Sequence, residues 1–424
     1  MSSKPDVIAN KASCADDHDP NSLDMAIAKQ KISEMIKPVN GFESVAIRNA
    51  LNRTLSADVL STIDVPAYTN SAMDGYAIKY SDIQQEGVSS LEITGVAYAG
   101  KPFTGSIQNG QCVRIMTGAM LPEGVDTVIM QEHVEVKDNC IHLSATHQQG
   151  QNIRHAGEDL KIGAPALHKG TAIKPADIGL IASLGITEVT VSRNLRVAFF
   201  STGDELRSIG ETLQQGQIYD SNRYTLYCML SNLGVEIMDM GIIPDDPGRI
   251  QQAFQTAADE ADLLITTGGV SVGDADYVKQ TLEDLGEVNF WKIAMKPGRP
   301  LAVGKVNNAY FFGLPGNPVS AMVTFYQFVQ PAIRQLMGQT KTEPHMIRIK
   351  TVSNLKKRPG RVDFQRGILF INDDGEHVVK TTGNQGSHVL SSMSEANCFI
   401  VLAQDSGSIK SGEYVDVQPF YGVI

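Results

Sequence analysis

The chain of 424 residues is poor in cysteine, and its five thiols are scattered. Cys14, Cys112, Cys140, Cys228 and Cys398 lie far apart, with no Cys-x-x-Cys pair among them. That argues against a disulfide framework and against a structural zinc site, since both need thiols at matched spacing. Long apolar runs are also lacking. No stretch reaches the roughly 18 uninterrupted apolar residues that a membrane-crossing helix requires. Met1 to Ser22 is polar and carries Asp16, Asp17 and Asp19, so no signal peptide is expected. A surplus of positive charge is missing as well. The net charge of −11 argues against bare nucleic acid as a partner, because phosphates reward Lys and Arg. The nine histidines form no H-E-x-x-H pair, so zinc chemistry finds little support. These absences lead to the expectation of a cytoplasmic protein without membrane association.

What is present suits packed cores: 42% apolar and 20% charged residues, with length for about three domains of roughly 150 residues each. Residues 1–21 are expected to form a disordered lead. From Ser22, the residues Leu23, Ala26, Ile27, Ile32, Met35 and Ile36 recur at helical spacing, with Ser22 as the expected N-cap and Pro38 with Gly41 as the stop. A second helix is expected after Phe42, running through Ile47 and Leu51. Between 60 and 169, short β-favouring runs (Leu91–Thr94, Cys112–Ile115, Val125–Met130, Val134–Val136) alternate with glycine-rich turns. Helix returns over Ile173 to Leu184. The β-rich stretch therefore reads as an insertion in a helical N-terminal domain made of 22–59 and 170–194.

From 195 to 338 the rhythm is strand, turn, helix. Val197–Phe200, Val235–Met238, Leu263–Ile265 and Ala309–Phe312 read as strands buried on both faces, as in a parallel sheet. Helical stretches (Tyr224–Leu233, Ile250–Ala258, Tyr277–Leu285, Val319–Leu336) separate them. This predicts a central doubly wound α/β domain, a class that binds ligands beyond the carboxyl ends of its strands. Residues 339–424 hold short strands at Ile347–Ile349, Gly367–Ile371, Val378–Lys380, Cys398–Leu402 and Tyr414–Val417, and predict a small β-barrel-like terminal domain. The fold class expected is thus multi-domain α/β and β.

Three strand-to-helix turns carry unusual residues: Ser201-Thr202-Gly203-Asp204-Glu205-Leu206, Thr266 to Asp274, and Gly313-Leu314-Pro315-Gly316-Asn317-Pro318-Val319-Ser320. Glycines let backbone approach a phosphate, and helix N-termini aim N–H groups at anions. Asn317 as N-cap followed by Pro318 is a strong helix start. None of the three matches G-x-x-x-x-G-K-[ST] or G-x-G-x-x-G, so ordinary P-loop or dinucleotide binding is disfavoured. Any one turn is explained by turn chemistry alone. Three at the same end of one sheet point to a phosphate-bearing ligand. Asp204, Glu205, Asp245, Asp246, Asp274 and Asp276 follow the strands and suit Mg²⁺, which takes one or two carboxylates together with substrate phosphates. Helix capping is the competing reading for Asp204, Asp246 and Asp274. Between the second and third turns, Lys292 and Lys296, if extended, project to the same side, and with Arg299 they offer cations for an anion.

The stretch Val65-Pro66-Ala67-Tyr68-Thr69-Asn70-Ser71-Ala72-Met73-Asp74-Gly75-Tyr76-Ala77 resembles the N-terminal motif of MoeA and of the gephyrin E domain. Thr202–Glu205, Pro244–Asp246, Thr267–Gly273, Lys296–Gly298, Gly313–Pro318, Asn152–Asp159 and Gly360–Gly367 also look like that family, in order, from about Ser22 to the C-terminus. The resemblance implies a four-domain homodimer that inserts molybdate into adenylylated molybdopterin, with Mg²⁺-dependent release of AMP. The central domain would bind the pterin. Implicated as catalytic are Asp74, Glu205, Asp245, Asp276, Lys292 and Lys296, with Asp245, Asp276 and Glu205 toward Mg²⁺. Substrate binding would involve Thr117, Arg154, Asp159, Gly268, Gly269, Ser271, Arg299, Pro315, Gly316, Asn317, Pro318 and Ser387. A dimer partner could supply Asp74, Arg154 and Asp159. A molybdopterin adenylyltransferase and acceptor molybdoenzymes are the implied protein partners. Two rival readings are adenylylation of molybdopterin, whose free-standing enzymes are one small domain, and a gephyrin-like binding scaffold.

Overall fold

The computed structural model describes residues 22–83, 88–144, 147–269, 278, 281–282 and 285–420. The first helix, Met25–Met35, starts two residues later than its apolar spacing predicts. Its N-cap is Asp24, whose carboxylate accepts from the N–H groups of Ala26 and Ile27, and not Ser22. The shift arises because Leu23 is spent on extended pairing: its N–H donates to the Lys292 carbonyl at 2.7 Å, and its carbonyl accepts from Ala294 at 2.8 Å. The buried face of the helix (Met25, Ala28, Ile32) joins the core that contains Phe199, Ile265 and Phe312.

No helix follows Phe42. Phe42–Ala46 is a strand paired antiparallel with Glu188–Ser192, and Ile47–Asn49 makes only one 3-10 turn. Burial of Val189 and Val191 in this pairing outweighs the helical spacing of Ile47 and Leu51, a tertiary override of local propensity. Val59–Leu60 pairs with Pro165–Leu167, and the helix Pro175–Ser183 packs Ile181 onto Leu55 and Val59. Between these partners lies a six-stranded sheet in the order Thr127–Met130, Gly75–Ile78, Gln111–Ile115, Val88–Ala97, Cys140–Ser144, Glu135–Lys137.

The central sheet runs Glu236–Ile243, Arg196–Thr202, Leu263–Thr267, Ala309–Leu314, Pro300–Val306, Gly286–Lys292. The first four strands are parallel, as expected, and Pro300–Val306 runs antiparallel to both of its neighbours. Asn307 and Asn308 explain the departure. They form a two-residue connection between Val306 and Ala309, with Asn307 at φ +51°, and so short a link permits only antiparallel pairing. Alternate residues feed opposite faces: Phe199 faces the core that holds the helix Ser221–Ser231, and Phe200 faces Phe254 of the helix Pro247–Glu260. Of the helix expected at Tyr277–Leu285, the described positions Val278, Thr281, Leu282 and Leu285 are helical.

The C-terminal strands close into a five-stranded barrel through Val362–Ile371, His377–Thr381, Ile347–Thr351, Tyr414–Pro419 and Cys398–Leu402, the last returning to the first. Met295–Lys296 pairs with Val362 and Asp363 at the barrel's edge. The chain leaving the central sheet at Lys292 therefore crosses directly onto the barrel. Among the described residues no helix is long and apolar enough to cross a membrane.

Candidate functional site

A cavity of about 700 Å³ opens where the central sheet meets the barrel, walled by Gly268, Gly269, Lys296–Pro300, Pro315–Asn317, Ser320, Arg361 and Gln385–Ser387. It gathers Gly268 and Gly269, at the start of the second glycine-rich turn, and the third turn, at the carboxyl ends of Leu263–Thr267 and Ala309–Leu314. Gly268 and Gly269 sit at φ +88° and +64°, in the left-handed region. A Cβ at Gly268 would stand 2.5 Å from the Thr202 carbonyl, so the first turn presses directly on the second. The Gly268 N–H donates to the Leu314 carbonyl at 3.3 Å, and Asn222 Nδ2 donates to the Gly316 carbonyl at 2.8 Å. The helix Pro318–Thr324 begins as predicted, with Asn317 as N-cap and Pro318 first, although the Asn317 side chain makes no capping bond. The Val319 N–H instead donates to the Ser387 carbonyl at 3.3 Å, which ties the barrel loop to the helix start.

Beneath this floor, Thr202 Oγ1, Thr266 Oγ1, Asp220 Oδ2 and Asn222 Oδ1 are buried without a hydrogen-bond partner among the described residues. Such groups are uncommon and mark places where a ligand or ordered water completes the network.

Acidic groups collect beside the first turn. The Asp245 N–H donates to Asp204 Oδ1 at 3.2 Å, so Asp204 serves this loop and not a helix end, whereas Asp246 does cap Pro247–Glu260 by accepting from Arg249. Burial, reinforced by the like charges of Asp204 and Glu205, pushes the Asp245 carboxyl above its ordinary value. Among the described residues, no group of three or more His, Cys, Asp or Glu side chains is arranged to hold a metal ion. Asp276, Ser271 and Asp274 lie outside the described residues.

The two strap lysines part company. Lys292 ends Gly286–Lys292, opposite Pro300, and does not line the cavity; Lys296 belongs to the barrel sheet and does. The extended run between them is interrupted at Ala294, where the Met295 N–H donates to the Ile293 carbonyl at 2.8 Å. Arg299 lines the cavity, and its Nη2 donates to Ser22 Oγ at 3.4 Å. Pro315, Gly316, Asn317 and Ser387 are brought in as well, while Pro318 starts the helix just behind.

Four predicted residues lie in the N-terminal module instead. The Asp74 carboxylate accepts from the backbone N–H and the hydroxyl of Thr117, both at 2.7 Å, and these bonds, aided by Arg114, hold its carboxyl below the usual range. Arg154 pairs in register with Asn70, and the Asp159 N–H donates to Val65. None of the four lines the cavity.

Sequence reasoning left Arg361, Gln385 and Arg366 without a role. Arg366 is 1% exposed, donates to Ser392 Oγ at 3.0 Å and the Gly386 carbonyl at 3.0 Å, and so shapes the loop that carries Ser387. Burial pushes its guanidinium down to about 10. For Arg361 the signal was the run Lys356-Lys357-Arg358-Pro359-Gly360-Arg361, with four cations in six residues.

Three family models match the chain in succession: the MoeA N-terminal region (domain I and II) over residues 23–185, a probable molybdopterin binding domain over 198–335, and the MoeA C-terminal region (domain IV) over 348–420. A molybdopterin molybdenumtransferase from Haemophilus influenzae is 49% identical over 396 residues, covering 93% of this chain and 97% of that protein. The chain belongs to the molybdopterin molybdenumtransferase family. Another molybdopterin molybdenumtransferase, from Nostoc, is 37% identical across 88% of this chain and 87% of its own. Gephyrin from Dictyostelium discoideum is 34% identical, with 89% of this chain matching 59% of the longer protein. Among solved structures, the molybdopterin biosynthesis moeA protein of Pyrococcus horikoshii aligns over 94% of this chain and 100% of its own, with a TM-score of 0.81 at 26% identity. In molybdopterin molybdenumtransferase terms, the cavity is bounded by residues of the probable molybdopterin binding domain and of MoeA domain IV.

Proposed function

We propose that the chain inserts molybdate into adenylylated molybdopterin in an Mg²⁺-dependent reaction that releases AMP. Family membership makes it a transferase of molybdenum cofactor biosynthesis acting by molybdenum insertion. The observation that carries the finer reading is the cavity itself: two glycine-rich turns and Lys296, Arg299 and Arg361 face one space. Gly268, Gly269, Gly316 and Asn317 would bind the phosphate end of the pterin, because backbone without Cβ comes close to an anion. Lys296, Arg299 and Arg361 would draw molybdate against the field of a chain with net charge −11. Ser387 would hold the pterin from the barrel side.

The carboxylates of Asp245 and Glu205 fit a hard cation: their mutual repulsion with Asp204 is what a divalent ion relieves, and Mg²⁺ needs few protein ligands when substrate phosphates complete its shell. Asp276 would join them. Mg²⁺ bound there would neutralise charge at the cleaved phosphoanhydride. Glu205 would orient water or hold a proton, and Lys292 would add positive potential along the strap.

The enzyme would act as a cytoplasmic homodimer. Ile218, Tyr219, Tyr224 and Tyr227 expose 54%, 45%, 38% and 48% of their surface on and just before one helix, an apolar face that a second copy would cover. Asp74, Thr117, Arg154 and Asp159 would then reach the partner's cavity. The domain boundaries given above belong to the same reading, and the pairing of residues 42–60 with 165–192 supports an inserted β-rich unit. A molybdopterin adenylyltransferase would supply the substrate, and molybdoenzymes would accept the product.

The test is AMP release from purified adenylylated molybdopterin with Mg²⁺, with and without molybdate. Molybdate-dependent release with formation of active cofactor supports insertion. No turnover despite tight molybdopterin binding would sink it.

A further inference from the structure

We infer that Gln327 and Gln418 are positioning residues: their buried amide pair seats the barrel at the angle that sets the cavity's width. The cavity is walled from both sides, by Gly268, Gly269 and Pro315–Asn317 of the central domain and by Arg361 and Gln385–Ser387 of the barrel. Its shape therefore depends on how the two units meet. The role of the pair in the reaction rests on the pterin binding in this cavity, as proposed above.

The last barrel strand places Gln418 where a glutamine would ordinarily be wet. Along Tyr414–Pro419, Val415 and Val417 fill the barrel interior, so alternation turns Gln418 outward. Gln418 is nevertheless 4% exposed. What covers it is the helical segment that starts at Pro318. That helix ends at Thr324 and continues as a π turn over Phe325–Val329, with the Gln330 N–H donating to the Phe325 carbonyl. Such turns are rare and occur mostly as single bulges, frequently at functional sites. Within this one, Gln327 is 2% exposed and donates from Nε2 to Gln418 Oε1 at 2.7 Å.

Around this bond the contact is aromatic. Tyr326 stacks on Phe420 at 5.6 Å and meets Phe399 edge-on at 5.8 Å. Phe364 and Phe399 of the barrel share one core with Phe325 and Phe328 of the helical segment. Apolar burial supplies adhesion but has no direction, so it tolerates sliding and rocking. A buried hydrogen bond is satisfied in one arrangement, and leaving either amide unmatched costs more than the bond returns.

Two further anchors lie beside the cavity. The Val362 N–H donates to the Ala294 carbonyl at 2.9 Å, next to the pairing of Lys296 with Asp363. The Val319 N–H donates to the Ser387 carbonyl at 3.3 Å. Two anchors alone leave an axis about which the barrel can rock and so widen or narrow the cavity. Gln327 grips the barrel roughly 12 Å beyond Val319 along the same segment, at about 1.5 Å of rise per residue. The three anchors fall on separate barrel segments: Val362–Ile371, the loop after His377–Thr381, and Tyr414–Pro419. The third therefore removes the axis that the other two would leave. A substrate then meets a barrel already in place and does not have to seat it on binding.

The experiment replaces each glutamine by methionine, unbranched and apolar, singly and together in the full chain. Three readouts are compared: the melting temperature, KM and kcat for adenylylated molybdopterin in molybdate-dependent cofactor formation, and hydrogen exchange at Val319. The Val319 N–H lies in the first helical turn, where no intrahelical acceptor exists, so its protection reports the contact with the barrel. Gln327→Met and Gln418→Met should each melt below the wild type, because one amide is left unmatched. Gln327→Met/Gln418→Met should melt close to the wild type and exchange Val319 faster. Its KM should rise about fivefold, the scale of one net hydrogen bond, with kcat changed less. A double variant whose KM returns to the wild-type value together with its melting temperature reduces the pair to a structural role and overturns the proposal. Unchanged exchange at Val319 in the double variant overturns it as well. Ser387→Phe, which fills the cavity directly, separates this proposal from the reading it rests on. If Ser387→Phe leaves KM unchanged, the cavity is not the pterin site, and faster exchange in the double variant still supports the seat.

Discussion

Asn222, buried near the start of the helix Ser221–Ser231, donates to the Gly316 carbonyl at 2.8 Å and so joins two turns 94 residues apart in the chain. Gly316 lines the cavity between the central sheet and the barrel and Asn222 does not, so the amide acts on that cavity through the backbone it holds. Asn222→Ala is expected to raise KM for the pterin substrate several-fold while changing kcat less, since an intramolecular hydrogen bond of this kind contributes about 0.5–1.5 kcal/mol. Steady-state kinetics beside a thermal melt would check it. A fall in melting temperature with KM unchanged would reduce Asn222 to a purely structural role.

Gly268 cannot carry a side chain without moving Thr202. A left-handed φ costs an L-residue about 1–2 kcal/mol, and the 2.5 Å approach of a Cβ to backbone oxygen adds to that. Gly268→Ala should lower the denaturant midpoint and weaken pterin binding together. Gly110→Ala is the control, because its φ of +76° carries the same backbone strain with open space around its Cβ. Equal losses in both variants would remove the contact with Thr202 from the account.

Asp74 owes its depressed carboxyl pKa first to the Thr117 backbone N–H and then to the Thr117 hydroxyl. A carboxyl whose folded pKa is lowered favours the fold above its unfolded pKa, and that contribution disappears as pH falls through the folded value. Thr117→Val removes one of the two donors. A titration of the Asp74 carboxyl by NMR should show its pKa moving up toward the ordinary carboxylate value, and Asp74→Asn should cut turnover while slightly lowering the melting temperature at neutral pH, where the ionised carboxylate favours the fold.

Asp245 has the opposite sign. Its folded pKa is raised by burial and by Asp204 and Glu205, so the ionised form costs stability above that pKa and the cost fades as pH falls. Asp245→Asn should therefore leave the melting temperature at pH 7 unchanged or higher, while removing most Mg²⁺-dependent AMP release. Asp276→Asn is expected to do the same to turnover. Normal insertion by both variants would discard the metal assignment.

Much of this protein is written locally. The strands Arg196–Thr202, Leu263–Thr267 and Ala309–Leu314 are apolar runs bounded by turn residues, and Asn317-Pro318 sets a helix start through its own backbone restrictions. The glycine-rich turns and the order of the family motifs needed no coordinates either, because nearest neighbours decide turn geometry.

What the tertiary structure alone decided depends on partners far away in the chain. Phe42–Ala46 became a strand because Glu188–Ser192 offered it a ladder. Lys296 reached the cavity wall and Lys292 did not, because Lys292 pairs opposite Pro300 in the central sheet whereas Lys296 pairs with Asp363 of the barrel. The barrel's closure of Cys398–Leu402 onto Val362–Ile371 helps hold Arg361 and Ser387 against the central sheet. Local propensity is worth tenths of a kcal/mol per residue, and strand pairing with burial of whole side chains outweighs it. The sequence by itself therefore determined which turns could meet an anion, and long-range pairing decided which charged side chains stand around them.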